Sequence, residues 1–286
     1  MQRNLNVAII QMPVSSDVRE NLDYLESKLT NLFTDKRQPE LVVGVEFGIA
    51  PAQPEPASGE TMERLAAIAS KHSIYFIPGT MKLEDGKGGF YNSAPVFNPR
   101  GELLGIYSKM VPWDTGLEKG TIPGTEYLVF EIPEKNTRIG VQICFDADFP
   151  EISRTQTLLG AEILIQLSMD PDSIPPRYNT VKAARAIENQ VYYIYTNGVG
   201  DYENFHLRGH SMVINPEGDI VYEAGEVPTF PVLTLDLDMV KRCREMGNWH
   251  QVSILKALEQ YPPGQPFAGR EQESPLFKKY LKQKTR

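Results

Sequence analysis

Three side chains in this sequence could do covalent chemistry together. Glu46 follows the apolar run LVVGV, Lys109 follows LLGIYS, and Cys144 closes the run from Ile139 to Ile143. In open α/β sheets the carboxyl ends of the strands form one rim, so groups placed just past three strands can converge. A thiol is mostly protonated at neutral pH and needs a base, which a partly buried carboxylate with a raised pKa can be. Attack on a carbonyl creates an oxyanion, which Lys109 and the backbone N–H of Phe145 can stabilise. The lysine, and the start of the helix expected after Cys144, also favour a thiolate, which predicts a lowered thiol pKa. Each residue has a plainer reading: a capping or surface carboxylate, a solvated lysine, a cysteine packed as a small hydrophobe. Those readings explain each residue singly but not the shared position.

The elements that must hold these groups follow from periodicity. Val7 to Gln11 reads as a strand, and residues 18–33 as a helix with Leu22, Leu25, Leu29, Leu32 and Phe33 on one face. The run Leu41 to Val45 has the continuous apolar character of a strand buried on both faces. AQPEPASGE reads as a loop, Glu60 to His72 as a second helix, and IYFIPGT as the next strand. YNSAPVF and LLGIYS follow as strands, then the Pro- and Gly-rich stretch MVPWDTGLEKGTIPGT as a long loop of the kind that is usually functional. Strands are expected at YLVFEI, before Cys144, at ILIQLS, VYYIYTNGV, HSMVIN, DIVYEA and FPVLTLDLD. Helices are expected near Glu151 to Leu159, over 179–190, and at MVKRCREM. This order predicts an α/β fold: two mixed sheets packed together with helices outside.

Composition narrows the function classes. The net charge of −8 gives no reason to expect nucleic-acid binding. Two cysteines, Cys144 and Cys243, make no disulfide framework and suit a reducing, cytoplasmic setting. The N-terminus enters an apolar strand without a signal-peptide core, and no apolar run is long enough for a bilayer. No Cys or His pair has metal-ligand spacing and no phosphate-binding glycine loop is present, so neither metal nor cofactor is expected. His210 begins a strand near a hairpin and reads as a core or interface residue, and Cys243 as structural. Residues 1–245 read as one catalytic domain. Residues 246–286 read as a tail whose Trp249, Ile254, Leu255, Leu258, Tyr261 and Phe267 would dock on a neighbouring subunit.

With these residues in view, the sequence resembles the nitrilase superfamily of carbon–nitrogen hydrolases, whose mark is a Glu–Lys–Cys triad. The matches are Glu46 in VGVEFG, Lys109 in GIYSKMVPW and Cys144 in GVQICFDADFPE, with AARAIENQVYYIYTNGVG and GHSMVINPEGD as further signatures. Val45 stands where the family usually has proline. The resemblance implies a four-layer αββα sandwich, a cysteine acyl-enzyme without metal, and paired subunits in a dimer or higher even assembly. It also implies a second glutamate in the loop after the lysine, a place that Glu118 fits. Pro112-Trp113 looks like the lysine loop of aliphatic amidases and formamidases, and by that likeness Trp113 and Phe47 would line an acyl pocket. Members acting on carboxylate-bearing substrates often carry arginine four residues after the cysteine, where this chain has Asp148. That favours neutral or cationic substrates, although Asp148 and Glu151 also have capping-box spacing. The reading is an amidase for small neutral amides. An N-carbamoyl hydrolase is the alternative, a nitrilase a weaker one, and a non-enzymatic binding protein would have to keep the triad for no purpose.

Overall fold

The computed structural model describes residues 3–34, 37–251, 253–264 and 269–277. Its first half is β1 (Asn4–Ile9), α1 (Val18–Leu32), β2 (Leu41–Glu55), α2 (Glu60–His72), β3 (Tyr75–Glu84), β4 (Phe90–Phe97) and β5 (Leu103–Ser108). Its second half is β6 (Val129–Ile132), β7 (Thr137–Ile143), α3 (Pro150–Leu158), β8 (Ile163–Ser168), α4 (Asn179–Asn189) and β9 (Tyr192–Asn197). Then come β10 (Val199–Tyr202), β11 (Phe205–Arg208), β12 (Met212–Ile214), β13 (Ile220–Glu223), β14 (Val232–Asp236), α5 (Leu237–Met246) and α6 (Ile254–Gln260).

Two six-stranded mixed sheets form, in the orders β14-β1-β2-β3-β4-β5 and β13-β12-β9-β8-β7-β6. Each has a parallel centre, β1–β2–β3 in one and β7–β8–β9 in the other, flanked by antiparallel strands. Parallel strands need crossover helices, which here are α1 and α2 for one sheet and α3 and α4 for the other. Val7, Val43, Ile139, Val141, Ile165 and Ile194 belong to one core between the sheets. Leu22, Leu25, Leu29, Leu65 and Ile68 share a second core with Ala8, Ile10 and Val42, which seats α1 and α2 on one outer face. Ala186, Leu164, Tyr193 and Met212 make a third on the other. The result is the pair of packed mixed sheets with outer helices expected from the element order, in the four-layer αββα form that the resemblance implies.

Local sequence explains several boundaries. Asp17 caps α1 by accepting from the N–H groups of Arg19 and Glu20 at 2.7 and 3.2 Å. At Gly44 a Cβ would lie 1.9 Å from the carbonyl oxygen of Pro78, so only glycine allows β2 and β3 to approach there. The carbonyl of Gly44 also accepts from the Thr196 hydroxyl at 2.6 Å, a hydrogen bond between the two sheets.

Three expectations need correction. AQPEPASGE is not wholly a loop, because β2 continues through Glu55 with irregular register after Val45. VYYIYTNGV is not one strand: it breaks at Gly198, and β10 pairs with β11 in a hairpin with a polar tip that periodicity did not mark. Asp148 is not a helix cap, since the cap position of α3 is Phe149 and no side chain caps it. The part of the tail in α6 packs on α4 and α5 of its own chain, and the N–H of Leu255 donates to Gln190 at 3.3 Å. Trp249 and Tyr261 remain exposed, and Phe267 lies outside the described residues. Cys243 is buried in α5.

Candidate active site

Glu46 does not follow a strand end but sits inside β2, at the break in its pairing with β3. The next residue, Phe47, has φ of 53° and donates its N–H to the Thr80 hydroxyl at 2.7 Å. A bulge of this kind re-aims a side chain, here into the space between loops. Lys109 follows β5 and is pinned by its backbone: its N–H donates to the Asn92 carbonyl and its carbonyl accepts from Gly124, both at 2.8 Å.

These two groups and Glu118 form a buried charge cluster. The Lys109 ammonium is 2.9 Å from Glu46 Oε1 and 2.6 Å from Glu118 Oε2. Asn92 donates through Nδ2 to both carboxylates, at 2.9 and 2.7 Å, and the N–H of Trp113 donates to Glu118 at 2.8 Å. All three charged residues are buried. Burial pushes the Glu46 carboxyl up, Lys109 pulls it back and Glu118 pushes it further, leaving its pKa at about 7. Burial alone would lower Lys109, but Glu46, the nearby thiol and Glu118 together hold it above the ordinary lysine value. The lysine therefore stays an ammonium while Glu46 stands near the midpoint of its titration, where a carboxylate exchanges protons readily.

Cys144 follows β7 directly, with φ of 44°. That left-handed conformation is unusual for a residue with a side chain and marks a constrained position. The constraint comes from Asp146, which accepts from the N–H groups of Ile143, Met110 and Val111 and from the Tyr107 hydroxyl, at 2.7–3.1 Å. One buried carboxylate thus ties the cysteine turn to the loop after Lys109. The thiol donates to Asp170 Oδ1 at 3.5 Å. The expectation of a lowered thiol pKa is wrong. Burial raises it well above the ordinary value, Glu46, Asp170 and Glu118 add to the rise, and Lys109 only partly opposes them. Cys144 keeps some exposed surface, but that surface faces a concave, mostly apolar-lined cavity, so the effect of burial prevails. No helix start is close enough to reverse this, because a short 3-10 turn separates Cys144 from α3.

The cavity encloses about 520 Å³. Glu46, Lys109, Glu118 and Cys144 line it, as do Phe47, Trp113, Phe145 and Asp148, so every site residue named from the sequence reaches one space. Phe145 stacks edge-on against Trp113 at 4.9 Å and against Phe149 at 5.3 Å. Asp148 accepts from the Tyr178 hydroxyl. His210 instead pairs with Glu223 and Glu226 at 3.1 and 3.3 Å, with a partly exposed side chain and no place in the cavity wall. Sequence reading missed Asn92, Asp170, Tyr178 and Lys182. For Asp170 a signal existed: it is the first ionisable group past β8, the same position that singled out Cys144 after β7.

A sequence model of the carbon-nitrogen hydrolase family matches residues 6–245. The chain belongs to the carbon–nitrogen hydrolase family. The hydrolase is 31% identical to omega-amidase NIT2 of Xenopus tropicalis over 205 residues, covering 68% of this chain and 73% of that relative. The crystal structure of Nit3 of Saccharomyces cerevisiae, described as a member of branch 10 of the nitrilase superfamily, superposes with a TM-score of 0.77. It shows 25% identity and covers 85% of this chain and 94% of Nit3. An amidase variant from Nesterenkonia sp. AN1, with the acetamide moiety of fluoroacetamide covalently added at its active-site cysteine, has the same fold. Its TM-score is 0.73 at 22% identity, over 85% of this chain and 94% of that one. The chain is thus a carbon–nitrogen hydrolase with the nitrilase-superfamily fold.

Proposed function

We propose that this hydrolase cleaves the C–N bond of small neutral amides through a thioester on Cys144. The observation that carries the proposal is one cavity wall bearing a thiol, a carboxylate with a pKa near 7, and an ammonium fixed between two carboxylates. Sγ attacks the amide carbonyl while its proton passes to Glu46, and the C–S bond forms as the C=O π pair moves onto oxygen. Lys109 and the N–H of Phe145 stabilise that oxyanion. Glu46 then gives the proton to the departing nitrogen, the C–N bond breaks, and ammonia or an amine leaves. Water enters, Glu46 takes its proton, and the acid is released with the thiol restored. Glu118 holds Lys109 and, through Trp113, the loop that closes the cavity, a positioning task more than a proton-transfer one.

The preference for neutral substrates rests on Asp148, a carboxylate in the cavity wall with no cation paired to it among the described residues. The omega-amidase name of a relative points the other way, so the matter is decided by measurement. Ammonia release from a panel of neutral amides, ω-amides of dicarboxylic acids, N-carbamoyl compounds and nitriles should be fastest, by kcat/KM, for the neutral amides. Faster turnover of an ω-amide than of a neutral amide of similar size would end this reading of position 148. The proposal also takes residues 1–245 as the hydrolase domain of a cytoplasmic homodimer or larger even assembly. Within the tail of residues 246–286, α6 packs on its own chain, and the exposed Trp249 and Tyr261 beside it would meet the neighbouring subunit. Exposed Leu158, Leu159, Trp249 and Tyr261 support an interface, and the two free thiols suit a reducing compartment.

A further inference from the structure

Asp170 has no part in the reaction just described, yet it is the only side chain hydrogen-bonded to the Cys144 thiol among the described residues. It is buried and held on every side. Its N–H donates to Asn197 Oδ1 at 2.7 Å, its carbonyl accepts from Asn197 Nδ2 at 3.2 Å, and Oδ2 accepts from the Tyr195 hydroxyl at 2.8 Å. Lys182, buried in α4, lies 4.1 Å over the Tyr195 ring and makes no ion pair with Asp170 within 4 Å. Oδ1 is left facing the sulfur. Glu46, by contrast, has Oε1 occupied by Lys109 and Asn92 and makes no hydrogen bond to the thiol in this arrangement. The thiol hydrogen is a rotor, so it must turn from Asp170 toward Glu46 before transfer.

We propose that Asp170 is a positioning residue for the nucleophile: fixed by Tyr195 and Asn197, it receives the resting thiol's hydrogen bond and keeps Cys144 protonated until substrate occupies the cavity. The inference rests on Cys144 being the nucleophile. The charged groups around the sulfur are Glu46 on β2, Lys109 and Glu118 on the loop after β5, Asp170 after β8, and Lys182 and Asp148 more distantly. Of these, Lys109 favours the thiolate, whereas Glu46, Asp170 and Glu118 oppose it. Replacing Asp170 by asparagine keeps the side-chain shape and removes one opposing charge. Replacing Tyr195 by phenylalanine keeps the ring but strips the carboxylate of its donor, so the proton is held more tightly. The two substitutions should therefore move the thiol in opposite directions, which a merely structural role would not do.

The test is the rate of Cys144 alkylation by iodoacetamide from pH 6 to 10, in a Cys243→Ala background with the site mapped by peptide mass spectrometry. At pH 7, Asp170→Asn should alkylate about tenfold faster than its parent, as expected for a midpoint about one unit lower. Tyr195→Phe should alkylate several-fold more slowly with a higher midpoint. An unchanged or slower rate in Asp170→Asn overturns the inference. Should Asp170→Asn fail to fold, Tyr195→Phe decides: a raised midpoint supports the proposal and an unmoved one overturns it. Amide turnover that survives complete Cys144 alkylation would instead refute the nucleophile itself, so the two failures are separable.

Discussion

Replacing Lys109 by methionine tests the charge cluster most directly. The side chain is 1% exposed, and its ammonium lies 2.9 Å from Glu46 and 2.6 Å from Glu118. Methionine fills similar volume but leaves two buried carboxylates facing each other across Asn92. Removing one partner of a buried ion pair costs about 3–5 kcal/mol, and here two partners are abandoned, so a loss toward the upper end is expected at pH 8. One of the two carboxylates should then keep a proton, since like charges this close cannot both ionise cheaply. The direction with pH follows from linkage. In the wild type Glu46 has its pKa raised to about 7, so the folded chain binds more protons than the unfolded one below that pH. Wild-type stability from this group is complete in acid, falls as pH rises toward 7, and is level above it. In Lys109→Met the retained proton extends the fall beyond pH 7, at about 1.4 kcal/mol per pH unit for one proton. Urea unfolding at pH 5.5, 7 and 8.5, with m checked for constancy, reads this directly. A variant that loses under about 1 kcal/mol at pH 8, or whose deficit is the same at pH 5.5 and 8.5, would show that the lysine does not compensate both carboxylates. Activity should fall roughly 10²–10³-fold or more, the range for loss of an oxyanion donor.

Other outcomes follow from the same geometry. The kcat/KM profile should rise through about pH 7 as Glu46 ionises and then stay level well into the alkaline range, because the thiol's pKa is raised well above its usual value; an alkaline limb centred near pH 8 would contradict this. Cys144→Ala should abolish turnover with the fold retained, and intact mass spectrometry of the wild type with a slow amide should show an acyl adduct on Cys144. Light scattering at micromolar concentration should give a dimer or larger even assembly, and a monomer would remove the proposed subunit contact.

Much of this molecule was legible in its sequence because hydrophobic periodicity is local. Glu60–His72 and ILIQLS were placed to the residue, and the alternation of strands and helices gave the two-sheet sandwich. The candidate trio was legible in part: Lys109 and Cys144 stand just past strand ends, as read, whereas Glu46, read as past one, lies inside β2. What the sequence could not contain was the company each group keeps. Glu46 is aimed by a bulge at Phe47 and the Thr80 hydroxyl, contacts set by β2–β3 pairing. Asn92, read only as part of the strand YNSAPVF, bridges the two glutamates because β4 lies beside β3 and β5. Above all, the thiol's pKa moves up where local reasoning sent it down. A helix start and a lysine are features of neighbouring sequence, whereas burial and the carboxylates of Glu46, Asp170 and Glu118 come from elements far apart along the chain. Side-chain type and strand position are written in the sequence, but dielectric and charge at a point depend on everything packed around it, and only the tertiary structure decides that.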